Sequence, residues 1–214
     1  MKILLMGSKE YPFGSSYTFD RKAGGGIEVH VDKLAKFLAR EGHDAFIVTR
    51  RFPGQKREEV IRTDGGKIHI YRTKFLYNSL LRALTFNMFG SIKAMKLIRS
   101  KGIDLIHCHG PVAAFFGGLL SKLTGRPMMF TPHGTVSTWS SPIREILRFF
   151  EGFSARLAKK TLFISKRAQR EMTTTMQFPN TLLTNAIDLD DYPVGRRREG
   201  RITRFLFQIG RAHV

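Results

Sequence analysis

Three short stretches of this 214-residue chain combine residue types that can do chemistry. The first is Gly24-Gly25-Gly26, followed by Ile27-Glu28-Val29-His30-Val31, where a helical period begins. Glycine has no Cβ, so a ligand can come close to its backbone, and a helix start offers unpaired N–H groups and partial positive charge. Together they make a seat for a phosphate or another anion. The second stretch is Asp104-Leu105-Ile106-His107-Cys108-His109-Gly110. Strand alternation places His107 and His109 on one face and Cys108 on the other. Two imidazoles suggest a metal pair, but with no third ligand in view the better reading is polar lining at a strand's carboxyl end. The third is Thr131-Pro132-His133-Gly134. Proline fixes the backbone and glycine permits a sharp exit, so His133 is held where it can hydrogen-bond a ligand hydroxyl or move a proton. Ser165, which caps a helix start, joins Gly24, Gly25, Gly26, His109 and Gly134 as a candidate substrate contact. His30 falls beside the apolar stripe of its helix and reads as a packed core histidine.

The elements that must position these residues follow from periodicity. Strands are expected at Lys2–Gly7, Ala45–Thr49, Lys67–Arg72, Ile103–Cys108, Pro127–Thr131, Thr161–Ile164 and Thr181–Thr184. Helices are expected from Ile27, with Gly42 as a C-cap, and at Phe75–Ser100, Pro111–Leu123, Pro142–Lys159 and after Ser165. Arg51–Gly66 is polar and rich in turn signals. Alternating strands and helices predict an α/β fold, a Rossmann-like doubly wound and mostly parallel sheet with helices on both faces. Ligands of such sheets bind at the carboxyl ends of the strands. The loops after the first, fourth and fifth expected strands therefore carry the chemistry. Past Asp188 the chain turns charged and linker-like, then Arg204–Ile209 reads as a lone strand. The expected division is a domain over 1–188, a linker over 189–203 and the first strand of another domain over 204–214.

Composition narrows the class. The hydrophobic share of 42% suffices for one sizeable core. One cysteine cannot form an intrachain disulfide, which suits a reducing compartment. The N-terminal apolar run is too short for a secretory signal, and Val112–Leu120 is too short to span a bilayer. A soluble cytoplasmic protein is the expectation. Net charge is +19, and from Gly65 to Arg144 the one acidic residue, Asp104, faces eleven Lys or Arg. Such a field attracts polyanions, anionic lipid surfaces or phosphorylated ligands. The cationic stretch after Phe75 could lie on an anionic membrane, but an ordinary scaffold helix with a solvated basic side accounts for it as well and is preferred. G-x-G-x-x-G, the P-loop, G-x-S-x-G, C-x-x-C and H-E-x-x-H are all absent, which argues against a dehydrogenase, a P-loop NTPase, an elbow hydrolase and a dedicated zinc site.

In order and spacing these pieces resemble the N-terminal, acceptor-side domain of retaining GT-B glycosyltransferases of the group 1 family, the glycogen synthase-like superfamily. The matching residues are Glu10-Tyr11-Pro12, Gly24 through Leu38, Glu41-Gly42-His43-Asp44, Asp104 through His109, Thr131-Pro132-His133-Gly134 and Asn185-Ala186-Ile187-Asp188. Phe205 through Arg211 looks like the family's first strand of the nucleotide-sugar domain. The resemblance implies two Rossmann-like halves facing across a cleft, with a sugar-nucleotide donor on one and a sugar or lipid-linked acceptor on the other. It implies that the glycine loop lies near the donor diphosphate, that His133 hydrogen-bonds the transferred sugar, and that His109 lines the acceptor side. It also implies no cofactor and no metal. Three departures stand out: Ala186 where the family has glycine, Ala212-His213-Val214 where it continues with a Lys-Gly loop, and the absence of the donor domain. This chain alone is therefore expected to transfer little sugar. The rivals are a GT-B nucleotide-sugar epimerase or phosphorylase half, and a basic binding module for anionic lipid, with nucleic acid ranked last.

Overall fold

The structure is a computed structural model in which residues 1–14, 25–78, 81–134 and 144–185 are described. Residues Met1–Thr184 make one compact unit. The expected linker and the strand over 204–214 lie outside the described residues, as does Gly24.

Thirteen elements alternate along the described chain. They are β1 (Lys2–Met6), α1 (Gly26–Arg40), β2 (Asp44–Arg50), β3 (Glu58–Arg62), β4 (Lys67–Thr73), α2 (Arg82–Lys101), β5 (Leu105–His109), α3 (Pro111–Thr124), β6 (Met128–Thr131), α4 (Arg144–Leu157), β7 (Lys160–Phe163), α5 (Lys166–Thr173) and β8 (Asn180–Leu182). They form one eight-stranded sheet in the order β3-β4-β2-β1-β5-β6-β7-β8. Every pairing is parallel except β3 with β4. The expected doubly wound sheet is therefore present, with one antiparallel edge.

That edge is the main departure from the sequence reading. Within the polar Arg51–Gly66 stretch lies β3, whose residues Glu58, Glu59, Val60 and Arg62 are all exposed. An edge strand in which Ile61 alone packs on the core has too little apolar alternation to betray it. The helix expected from Phe75 is α2, starting at Arg82. Phe75 instead packs with Phe52 and Phe86 in a small aromatic cluster of its own.

Alternation along each strand splits the core between the two faces of the sheet. Leu4, Met6, Phe46, Val48, Ile106, Cys108, Met128 and Phe130 join residues of α2, α3, α4 and α5 in one cluster. Ile3, Leu5, Ala45, Ile47, Ile68 and Ile70 join Val31, Ala35 and Ala39 of α1 in the other. Cys108 lies against Gly117 of α3, where a side chain would meet its sulfur. Strand β1 is bordered by β2 on one side and β5 on the other, so the chain reverses its direction of progress across the sheet there. This is the topological switch point, the usual ligand crevice of such folds.

Candidate active site

The face of the sheet beneath α1 changes from apolar to polar as it nears the switch point. On β5, Leu105, His107 and His109 share that face, since Ile106 and Cys108 belong to the opposite cluster. Parallel register sets His107 opposite Met129 and His109 opposite Thr131 of β6. His107 Nε2 and Thr131 Oγ1 share a hydrogen bond of 2.8 Å, and both residues are buried. His109 Nδ1 and His133 Nε2 share one of 3.1 Å. The other ring nitrogen of His109 is buried with no hydrogen-bond partner among the described residues. Gly110, at φ +83°, turns the chain sharply into α3, whose first residue is Pro111.

The fourth member comes from α1. The His30 ring lies 5.3 Å from that of His109 and 4.8 Å from that of His133. Reading His30 as a core histidine is thus corrected: it is half-buried and stands at the site. The helical stripe of Ile27, Val31, Leu34 and Leu38 does pack on the core. His30 is one position off that stripe, which turns it along the sheet toward β5 and β6. Four of the seven histidines therefore meet at the carboxyl edge of the sheet.

The chemistry of this cluster is set by burial. Desolvation lowers the pKa of His107 to about 3, and nearby His30 adds to it. His133 is lowered to about 3 by the same causes, burial first, then His30 and His107. His109 is held well below its ordinary value by burial and then by His107, His133 and His30. Neutral imidazoles both donate and accept, as hydroxyl-rich ligands require. His107 and His109 are the buried pair, while His133 is half-exposed and faces outward beyond them. Nitrogens of His30, His109 and His133 all lie within 4.8 Å of one another. The third ligand missing from the sequence reading is thus available. Nitrogens sharing one zinc ion stand only about 3.3 Å apart, so the trio would have to close to hold one.

A pH dependence follows. These histidines have folded pKa values below the unfolded value of about 6.5, so their contribution is fully present above that pH and is lost as pH falls toward 3. Each neutral buried imidazole costs about 1.4 kcal/mol of stability per pH unit over that window. Thermal or urea unfolding between pH 7 and pH 5 is expected to show this slope, and His133→Gln should flatten it. An unchanged slope in the variant would mean that His133 titrates normally.

The glycine corner is more constrained than its sequence suggests. Gly25 is the extended N-cap of α1, and Val29 N–H closes the first turn on its carbonyl at 3.1 Å. Glu28 is buried in that turn and accepts a 2.9 Å hydrogen bond from Lys9 N–H. Its carboxylate already offsets part of the helix-start charge. Among the described residues, a side chain at Gly26 would meet nothing within 4 Å, and one at Gly134 likewise. Gly134 does not take a left-handed backbone, so the exit after His133 does not require glycine. Ser165 Oγ accepts from Ala168 N–H at 3.2 Å and caps α5. That use fills one acceptor site of the hydroxyl and leaves its proton to donate.

The described fold and site sit within a matched sequence family. Residues 24–191 match the family described as Glycosyltransferase Family 4. The chain belongs to this family. It is similar to a phosphatidyl-myo-inositol mannosyltransferase of Propionibacterium freudenreichii subsp. shermanii. The two are 24% identical over 192 residues, covering 84% of this chain and 47% of that protein. A 2-deoxystreptamine N-acetyl-D-glucosaminyltransferase of Streptomyces fradiae is 28% identical over 169 residues, covering 75% and 39%. Among solved structures, sucrose-phosphate synthase of Thermosynechococcus elongatus superposes with a TM-score of 0.72 at 16% identity, covering 90% of this chain and 50% of that one. HepE of Anabaena in complex with UDP-glucose gives 0.58 at 15% identity, covering 92% and 47%. The family 4 chain thus spans about half or less of the length of each. The expected resemblance to the N-terminal half of group 1 GT-B glycosyltransferases holds.

Proposed function

We propose that this chain forms the acceptor-side wall of a cleft in which a hexosyl group passes from a sugar nucleotide to an acceptor with retention of configuration. The observation that carries the reading is the neutral histidine cluster at the switch point of a family 4 fold. His133 hydrogen-bonds the transferred sugar and positions it. His109, buried behind it, orients His133, and His30 lines the cleft beside them. Gly24, Gly25 and Gly26 let the donor diphosphate come close to the start of α1, Gly134 leaves room beside the sugar, and the Ser165 hydroxyl contacts substrate at the end of β7. Glu28 makes this corner a weak anion seat by itself. The departing diphosphate is therefore neutralised mainly by basic groups of a donor-binding half, without a metal.

The division at about residue 188 belongs to the same proposal, with the linker over 189–203 leading to that donor half. The protein works in the cytoplasm, at the inner face of a membrane. No helix among the described residues is long and apolar enough to cross a bilayer. Support for surface contact comes from α2, where Leu84, Met88 and Ile92 are exposed at four-residue spacing and Lys96 extends their row. An apolar row continued by lysine, in a stretch almost free of carboxylates, suits an anionic lipid surface.

The test is transfer of label from radiolabelled nucleotide sugars in the presence of lipid and sugar acceptors. The complete gene product is expected to move label to acceptor, and residues 1–214 alone to give only background. Efficient transfer by residues 1–214 alone would overturn the division of labour. Conversion of the nucleotide sugar without any acceptor would replace the transferase reading by the epimerase one.

A further inference from the structure

A second concentration of charge lies on the same edge of the sheet, at the carboxyl ends of β2 and β4. Arg51, Arg57, Arg72, Thr73, Lys74 and Phe89 line a shallow cavity of about 360 Å³. Strand order puts β2 two strands and β4 three strands from His109, about 10 and 14 Å at ordinary strand spacing. Four cationic side chains face this cavity, and among the described residues no carboxylate lines it.

The four are not equally committed. Arg72 is buried, donates from Nη2 to Tyr11 C=O at 3.0 Å and from Nη1 to Lys56 C=O at 3.2 Å, and pairs with Glu59 at 2.9 Å. Its Nε is buried without a hydrogen-bond partner among the described residues. Arg51 uses Nε on Gln55 C=O at 3.2 Å. Neither Arg57 nor Lys74 pairs with a carboxylate among the described residues, and both are exposed. Nearby Glu58 is taken by Lys93. Of the four cations, Arg72 alone pairs with a carboxylate among the described residues, the partly exposed Glu59. Such crowding is relieved by an oxyanion with several acceptor oxygens, which arginine forks and a lysine bind well. The exposed ring of Phe89 offers an apolar wall for the carbon part of such a ligand.

We infer that this cavity holds the phosphate group of the acceptor, so that the acceptor is a phosphate-bearing molecule whose reacting hydroxyl extends toward His133. The inference rests on the transferase reading and names its acceptor class. The phosphate can belong to a soluble sugar phosphomonoester or to a phospholipid headgroup, and the experiment separates the two. Calorimetric titration of residues 1–214 with inorganic phosphate and with glucose 6-phosphate is run beside sedimentation with phosphatidylglycerol vesicles and phosphatidylcholine vesicles. The triple variant Arg51→Gln, Arg57→Gln, Lys74→Gln is compared with Lys122→Gln, Lys159→Gln, Lys166→Gln, which removes equal charge from exposed sites elsewhere. Arg72 is left intact because it anchors the Tyr11 loop.

The pocket variant is expected to lose at least about tenfold in affinity for whichever phosphate source binds, with the control variant within about twofold of the parent. Loss confined to glucose 6-phosphate identifies a soluble acceptor, and loss confined to phosphatidylglycerol vesicles identifies a lipid one; either supports the site. Equal loss in both variants, or no loss in the pocket variant, overturns it, as does failure of the parent to bind any of these probes. Phosphate binding without sugar transfer by the complete gene product would sink the transferase reading and leave the pocket standing.

Discussion

Replacing His133 by alanine in the complete gene product is expected to lower kcat about 100- to 1000-fold, with a change in KM of less than about fivefold. The ring follows a proline on one side and is oriented by the 3.1 Å hydrogen bond it shares with His109 on the other. Its neutral state is imposed by burial and by the neighbouring imidazoles, so it can accept from, or donate to, a sugar hydroxyl without being charged. A contact that tightens as the sugar flattens and gains charge appears in kcat rather than KM. His109→Ala should act in the same direction but less strongly, because His109 is a positioning residue whose own ring is buried. His43, which meets the N-terminus at 3.3 Å at the opposite end of the strands, is the control, and His43→Ala should leave kcat unchanged. Initial rates over a donor concentration series, with circular dichroism to confirm folding, make the measurement. A His133→Ala enzyme with parental kcat would remove the cluster from the reaction.

The largest effect on stability is expected at Gly7, not in the histidine cluster. Gly7 follows β1 at φ +109°, and a Cβ there would collide with the carbonyl oxygen of His109 and sit 3.1 Å from Ala113 Cβ. Both neighbours belong to backbone or to a short side chain, so neither can swing aside. Gly7→Ala combines an unfavourable backbone conformation with overpacking, about 1–2 and 1–3 kcal/mol respectively. For a chain of this size a loss of about 3 kcal/mol lowers Tm by about 6–12 °C. The same clash pushes the His109 carbonyl, so residual folded protein should also lose activity. Gly134→Ala, with no described residue within 4 Å of the added carbon, should stay within about 0.5 kcal/mol of the parent. Differential scanning calorimetry of the two variants separates these cases, and a Gly7→Ala protein as stable as the parent would show that the β1–β5 contact is not close-packed.

Sequence periodicity revealed the parallel sheet because its strands are buried on both faces and bounded by glycine, proline or a helix cap. It also showed that His107 and His109 share a face, since strand alternation is independent of context. It did not reveal β3, whose exposed residues leave no apolar signal, or the role of His30. Which residue of α1 looks toward β5 and β6 depends on how the helix crosses the sheet, and a helical wheel does not contain that angle. The same holds for Glu28. An acidic residue in the first turn reads as a solvated helix-dipole partner, but here it is buried on Lys9 N–H. The cationic cavity was equally hidden, because Arg51, Lys74 and Phe89 are brought together only by β2, β4 and α2. By contrast, the motif Thr131-Pro132-His133 held within it the Thr131 that anchors His107. A polar residue ending a strand beside a histidine-bearing strand was the available signal.

The central claim is that His30 and His133, with the buried His109 holding His133 in place, form one wall on which the donor sugar rests. Nuclear magnetic resonance of the imidazole nitrogens in ¹⁵N-histidine-labelled complete gene product tests it most directly. On addition of the nucleotide sugar that supports transfer, the resonances of His133 and His30 are expected to shift, with a smaller change at His109 through their shared hydrogen bond, while His43 and His69 stay in place. Transfer that proceeds with all three cluster resonances unmoved would contradict the account.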